Sequence, residues 1–220
     1  MANILTSPRL VRGGIVVVDP DSGASQSVVA LQYNPDSLTR SFQPQAFSTQ
    51  EGDRSEALRL KGPPTEVIRL EAEIDATDQL EAPGQNSNVV QYGIQPYLAV
   101  LELLLYPTSS QIRDNQSLAE QGMLEIVPME AGLTLFVWGN SRILPVRLLD
   151  LLITEEAFDA NLNPIRAKVS LSMRVLNAND LGIQHRGSRI FLEYLKEKER
   201  LARLSRAANL QTLGIERIPG

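Results

Sequence analysis

The sequence predicts an α+β, mainly β fold, and three observations carry that reading. From Ile165 to Leu176 the chain alternates strictly, with Ile165, Ala167, Val169, Leu171, Met173 and Val175 on one face and Arg166, Lys168, Ser170, Ser172 and Arg174 on the other. Residues 67–75 repeat the pattern, setting Ile68, Leu70, Ala72 and Ile74 against Arg69, Glu71, Glu73 and Asp75. Between these two segments the period changes to that of a helix, because Ile94, Tyr97, Leu98, Leu101, Leu104 and Leu105 share one broad face.

The strand at 165–176 has a partner in Ile143 to Phe158, which is apolar on both faces through Leu148, Leu149, Leu151, Leu152 and Ile153. Asp159-Ala160-Asn161-Leu162-Asn163-Pro164 supplies the turn residues between them, so the two make one long β-hairpin. A strand of this length runs about 40 Å, against a radius of gyration of about 17 Å for a compact chain of this size. The hairpin must therefore cross the domain or project from it, and its polar face is expected to be free for a partner.

The remaining elements follow in order. Ile15-Val16-Val17-Val18, bounded by Gly13-Gly14 and by Asp19-Pro20-Asp21-Ser22-Gly23, reads as a buried strand entering a turn. Gln26 to Asn34 returns as the second arm of a hairpin. Asp36 to Phe42 continues as strand, with Leu38 and Phe42 facing inward. Gln45 to Pro64 lacks any period and reads as a long loop of the kind that is functional or an interface arm. Thr77 to Gln91 is turn-rich. The helix after it has Pro96 in its first turn and Pro107 as its stop, and Thr108 to Gln121 is a weaker, surface helix. Leu133 to Trp138 is a short buried strand. A last helical segment runs from Ser188, read as an N-cap, to about Ala208, with a partial stripe of Phe191, Tyr194, Leu195, Leu201 and Leu204. Residues 1–181 thus form the main domain, and residues 182–220 a basic helical C-terminal extension.

Charge and composition bound the function. The 220 residues carry a net charge of −5 and no cysteine, which argues against nucleic-acid binding and excludes disulfides, thiolate metal sites and cysteine nucleophiles. The basic exception is 186–206, with seven Lys/Arg against three Glu. No apolar run is long enough to span a bilayer and no signal peptide is visible, so a cytoplasmic location is expected, with no membrane insertion. The single histidine, His185, lies in a polar linker and reads as solvated. Gly13-Gly14 precedes a strand rather than a helix and is no dinucleotide motif. Glu155 and Glu156 are adjacent on a strand and point to opposite faces, so they cannot share a proton. No enzyme chemistry, cofactor or metal is expected.

Four phrases taken together resemble a known family: Leu31-Gln32-Tyr33-Asn34-Pro35; Arg59-Leu60-Lys61-Gly62-Pro63-Pro64 leading to the acidic strand; Leu133-Thr134-Leu135-Phe136-Val137-Trp138-Gly139; and Phe158-Asp159-Ala160-Asn161-Leu162-Asn163-Pro164-Ile165-Arg166-Ala167. They resemble the tube-type domain of contractile injection systems, and within that family the baseplate adaptor between inner tube and spike. The resemblance implies a tube-protein-like β-barrel or sandwich with a flanking helix, assembled as a six-fold ring around a lumen. Its implied partners are further copies of the chain, an inner tube or tube-initiator protein, a VgrG-like spike and baseplate components. Relatives commonly continue into a LysM module where this chain has its basic segment, so a place at the far end, below the cap, is the alternative within the same particle. No catalytic or ligand residue is implied.

The expected contact residues follow from these readings. Glu155, Glu156, Phe158, Asn161, Arg166, Lys168 and Arg174 of the hairpin, with Arg54 and Arg59 of the long loop, would touch neighbouring subunits or layers. Arg189, Tyr194, Lys198 and Arg203 would dock the C-terminal helix outside the ring. A soluble ligand-binding β-barrel, with the hairpin closing a pocket, is the alternative of a different class.

Overall fold

Seven antiparallel strands in the order β2-β1-β5-β6-β7-β4-β3 form one open sheet around which the helices pack. The computed structural model describes residues 11–45, 60–120, 132–204, 211 and 214–218. The strands are β1 (Gly14–Val18), β2 (Ser25–Ala30), β3 (Leu38–Gln43), β4 (Thr65–Asp75), β5 (Leu133–Val137), β6 (Ile143–Phe158) and β7 (Pro164–Val175). The helices are α1 (Thr77–Leu80), α2 (Ser87–Tyr92), α3 (Gln95–Glu102), α4 (Ser109–Glu120), α5 (Ala178–Leu181) and α6 (Arg186–Leu204).

The long hairpin is present, β6 pairing with β7 from Val146↔Val175 to Phe158↔Pro164 with a bulge between Leu148 and Asp150. Strand β6 serves two half-sheets. Its first three residues pair with β5, and from Val146 onward it pairs with β7. One half-sheet is β2-β1-β5 with the start of β6; the other is β6-β7-β4-β3. The larger of two buried clusters lies between them, drawing Ile15 and Phe136 from the first, Ile68, Leu70, Val169, Leu171 and Met173 from the second, and Ile94, Leu98 and Leu101 from around α3; the smaller joins Val18, Leu133 and Leu135 to Ile190 of α6. Alternation explains this cluster directly, since every second residue of β4 and β7 faces it.

The sheet is open rather than closed into the expected barrel, because its end strands β2 and β3 pair with nothing beyond β1 and β4 among the described residues. A flat sheet would hold those ends about 29 Å apart at roughly 4.8 Å per strand. The short link from Ala30 to Leu38 reaches that distance only if fully extended. It is not extended, because Leu31 donates to Gly13 and is buried in the core, and Gln32 brackets the backbone of Asp75 through its own amide at 2.6 and 2.9 Å. The sheet must therefore curl, and the link spans the mouth of the curl without pairing.

Other differences are local. Phe42, expected inward, is 47% exposed; β3 has run beyond the core there, and the ring lies under the Arg40 guanidinium and the Lys198 ammonium at 4.8 and 5.2 Å. Ser188 is not an N-cap, since α6 begins at Arg186 and the Ser188 hydroxyl donates to the Gly182 carbonyl at 2.6 Å. His185 sits just before α6, where its Nδ1 accepts from the Gly187 amide at 3.0 Å. The turn-rich stretch holds α1 and α2, and α4 lies on the surface as expected, with no buried residue. Among the described residues no helix is long and apolar enough to cross a membrane.

Candidate assembly surface

The hairpin leaves one long edge unpaired. From Arg147 to Phe158, β6 has β7 on one side and no strand on the other among the described residues. Its backbone donors and acceptors on that side are a template for another strand. Edge strands are usually blunted by charge, proline or a bulge; this one has the bulge at Leu148–Asp150 and the charges of Asp150, Glu155 and Glu156, but no proline or lysine from Arg147 on, and it exposes Leu149 and Leu152. The other end of the half-sheet, β3, is likewise open among the described residues.

The outward face of the same half-sheet is hydrophilic. Register places Arg69, Glu71 and Glu73 of β4 beside Ser172, Ser170 and Lys168 of β7, which in turn face Asp150, Leu152 and Thr154 of β6. Two shallow depressions cross this face, lined by Thr39, Arg69, Glu71, Asp150 and Ser172 in one and by Glu73, Thr154 and Lys168 in the other. No described helix lines either of them.

The cations expected to be free for a partner are ion-paired within the chain. Arg166 reaches Asp75 at 2.7 Å and Glu73 at 3.5 Å, Lys168 reaches Glu156 at 3.0 Å, and Arg174 reaches Asp180 at 2.6 Å. Topology is the reason: the neighbouring β4 brings Asp75 and Glu73 to Arg166, β6 on the other side brings Glu156 to Lys168, and α5 returns Asp180 to Arg174. Asp75 is held below the usual carboxylate range chiefly by the Thr77 hydroxyl, with Arg166 adding to it. Lys168 and Arg166 are correspondingly raised, by hydrogen bonds to Glu156 and Asp75. These partly exposed pairs fix register more than they stabilise. Glu155 stands in register with Ala167 and Glu156 with Arg166, on opposite faces as expected.

The tip is built on Asp159. Its carboxylate accepts from the amides of Asn161 and Asn163 at 2.7 and 2.8 Å and from the Asn163 side chain at 2.8 Å. Asn163 also donates to the Gln91 carbonyl at 3.2 Å, and the Ile94 amide donates to the Pro164 carbonyl at 2.9 Å. The tip is thus clamped to the α2–α3 junction and does not swing free. The Asn163 side chain is the main cause holding the Asp159 carboxyl below its ordinary 3.8. A lowered acid stabilises the folded turn above its ordinary range and ceases to do so as pH falls through the lowered value. Amide protection at Asn161 and Asn163 is therefore expected to hold near pH 7 and to be lost only as pH falls below the ordinary 3.8 and through the lowered value in hydrogen-exchange measurements, and Asp159→Asn should flatten that dependence.

Two residues expected to dock a partner are used internally. Tyr194 is 7% exposed and its hydroxyl accepts from Arg40 at 2.7 Å. Lys198 stacks on the Tyr194 ring at 4.3 Å and reaches Glu66 at 3.3 Å. Glu66 is 3% exposed and also accepts from Arg40 Nε and Nη2 at 2.8 and 2.7 Å. This buried cluster fastens α6 to β3 and β4. It was not visible in sequence, where Glu66 precedes the alternating run; only its odd place beside an inward face hinted at burial. Arg189 and Arg203 are exposed on α6. Arg54 and Arg59 lie outside the described residues. Among the described residues no cluster of three His, Asp or Glu could hold a metal ion.

Compared with known proteins, the chain matches no protein-family model and no curated protein sequence.

Proposed function

We propose that this chain is a structural ring subunit of a contractile injection system, a tube adaptor joining the inner tube to the baseplate spike. The observation that carries the reading is the half-sheet β6-β7-β4-β3, open at both edges among the described residues, apolar on one face and hydrophilic on the other. Edge β6 of one copy beside edge β3 of the next satisfies both, and a head-to-tail arrangement of this kind closes into a ring. In such a ring the barrel that one chain leaves open is completed between copies, and the face of Arg69, Glu71, Asp150, Ser170 and Ser172 lines the lumen. Six copies, and the adaptor position itself, come from the resemblance of the hairpin and strand phrases.

The test is native mass spectrometry with negative-stain microscopy of the purified chain. Six-fold rings are expected; a cooperatively folding monomer at every concentration would overturn the reading. Position follows from a gold label on the C-terminus in native particles. Label at the spike end supports the adaptor, and label at the opposite end a cap-side adaptor.

One observation favours the alternative of a ligand-binding barrel: an apolar cavity of about 540 Å³ between β2, β4, β7 and α3, walled by Val29, Leu31, Ile74, Val100, Leu101 and Leu171. That reading requires a stable monomer that takes up an apolar fluorescent dye with saturable, one-site binding.

A further inference from the structure

Strand β2 is the least guarded edge of the sheet. Its residues, Ser25-Gln26-Ser27-Val28-Val29-Ala30, include no charge and no proline, and its one register shift lies at the start, between Ser25 and Ser27. The other open edges carry charge, Arg40 in β3 and Asp150, Glu155 and Glu156 in β6. Leu31 donates to Gly13 at 2.9 Å, and from there the register runs through Gly14↔Ala30 and Ile15↔Val29 to Val16↔Val28. In an antiparallel ladder only every second residue turns its N–H and C=O to a given neighbour. The backbone groups of Val29 and Leu31 therefore go to β1, and those of Val28 and Ala30 point away from it, unpaired among the described residues.

This free edge borders the apolar cavity of about 540 Å³ between β2, β4, β7 and α3. Val29 and Leu31 of the strand form one wall, and Tyr97 and Val100 of α3, 46% and 38% exposed, form the facing one. An edge with free backbone groups next to an apolar groove is the arrangement that takes an added strand: main-chain bonds hold it and the groove receives every second side chain. Charge marks one end of it. Arg12 lines the cavity near Leu31, is exposed and forms no ion pair among the described residues, whereas Glu73 beside it is engaged with Arg166 at 3.5 Å.

We propose that this groove binds an extended segment of a different protein, added to β2 through Val28 and Ala30, with apolar side chains at alternate positions in the cavity and a carboxylate facing Arg12. The ring reading uses β6 and β3 and leaves β2 free, so this contact stands apart from it and recruits a partner from outside the ring.

The test selects displayed short random peptides against the full chain. An alternating apolar pattern next to Asp or Glu is expected. The best peptide, synthesised, should slow amide exchange at Val28 and Ala30, which are fast without it, while Val29 and Leu31 are protected throughout. Val28→Pro removes a donor that β1 does not use, so its melting temperature should stay near the parent's while peptide affinity falls about tenfold or more. Val100→Glu should weaken binding without touching the edge, and Arg12→Glu should turn the selected acid into Lys or Arg. No enriched pattern, or apolar residues at helical spacing, overturns the proposal. So does protection of Val28 and Ala30 before peptide is added, which would mean that the chain itself or a second copy already covers the edge. Rings lost in Val28→Pro would make β2 a subunit contact and overturn it as well; peptide binding without rings keeps this contact and sinks the ring.

Discussion

Replacing Glu66 with alanine is expected to lower stability by about 3–5 kcal/mol, the usual cost of breaking a buried ion pair by removing one partner. The carboxylate is 3% exposed and is held by Arg40 and Lys198. Without it the Arg40 guanidinium, with 23% side-chain exposure, is left facing Tyr194 with no anion. For a chain of this size the loss corresponds to a fall in melting temperature of about 10 °C. Because Tyr194 and Lys198 belong to α6, limited proteolysis should cut that helix first. The Arg40→Met/Glu66→Met double variant should recover most of the loss, since a packed apolar pair removes the stranded charge. If Glu66→Ala melts within a degree of the parent, the cluster does not fasten α6.

Gly93→Ala is the second large expected effect, about 4 kcal/mol. Gly93 ends α2 at φ +58° and ψ −136°, a conformation that glycine alone adopts readily. A Cβ there would run into the Pro164 carbonyl oxygen and lie 3.2 Å from the Asn163 Cβ. The strain term is about 1–3 kcal/mol, and relieving the clash displaces backbone at a further cost of about 1–3 kcal/mol. The Ile94–Pro164 bond and the clamp on the hairpin tip would be lost together. Chemical denaturation measures the total, and loss of amide protection at Ile94 locates it. A variant as stable as the parent would mean that the junction shifts without resistance.

What was legible in the sequence was what has a period. The limits of β6 that the sequence predicts, Ile143 and Phe158, are its ends. The inward sets of β4 and β7 are also as expected, because a two-residue alternation survives any tertiary arrangement. What was illegible depends on which strands become neighbours. Arg166 looked available until β4 lay beside β7 and brought Asp75, 91 residues away in sequence, within 2.7 Å. Tyr194 and Lys198 looked like a docking face until Glu66 and Arg40 met them from β3 and β4. Barrel or open sheet was equally unreadable, since strand patterns are the same whether β2 and β3 pair or face solvent. Phe42 shows the remaining limit: alternation gives a side chain's face and not where along the strand the core ends.

The wiring of β1 has a consequence for how the chain acquires its structure. Ile15 lies opposite Val29 on one side and Phe136 on the other, so one flank closes locally and the other waits for more than half the chain to be synthesised. Strands β6 and β7, joined by a turn of a few residues, face no such delay. The last-made hairpin is therefore the expected nucleus, and the first-made one stays half-paired on the ribosome with its apolar run uncovered. Pairings of such long range are slow to form. In stopped-flow refolding, Val169→Ala should slow folding, whereas Val16→Ala should act mainly by speeding unfolding; the opposite pattern would place the nucleus at the N-terminus. A chain wired this way depends, during its synthesis, on whatever shields β1 until its distant partner arrives.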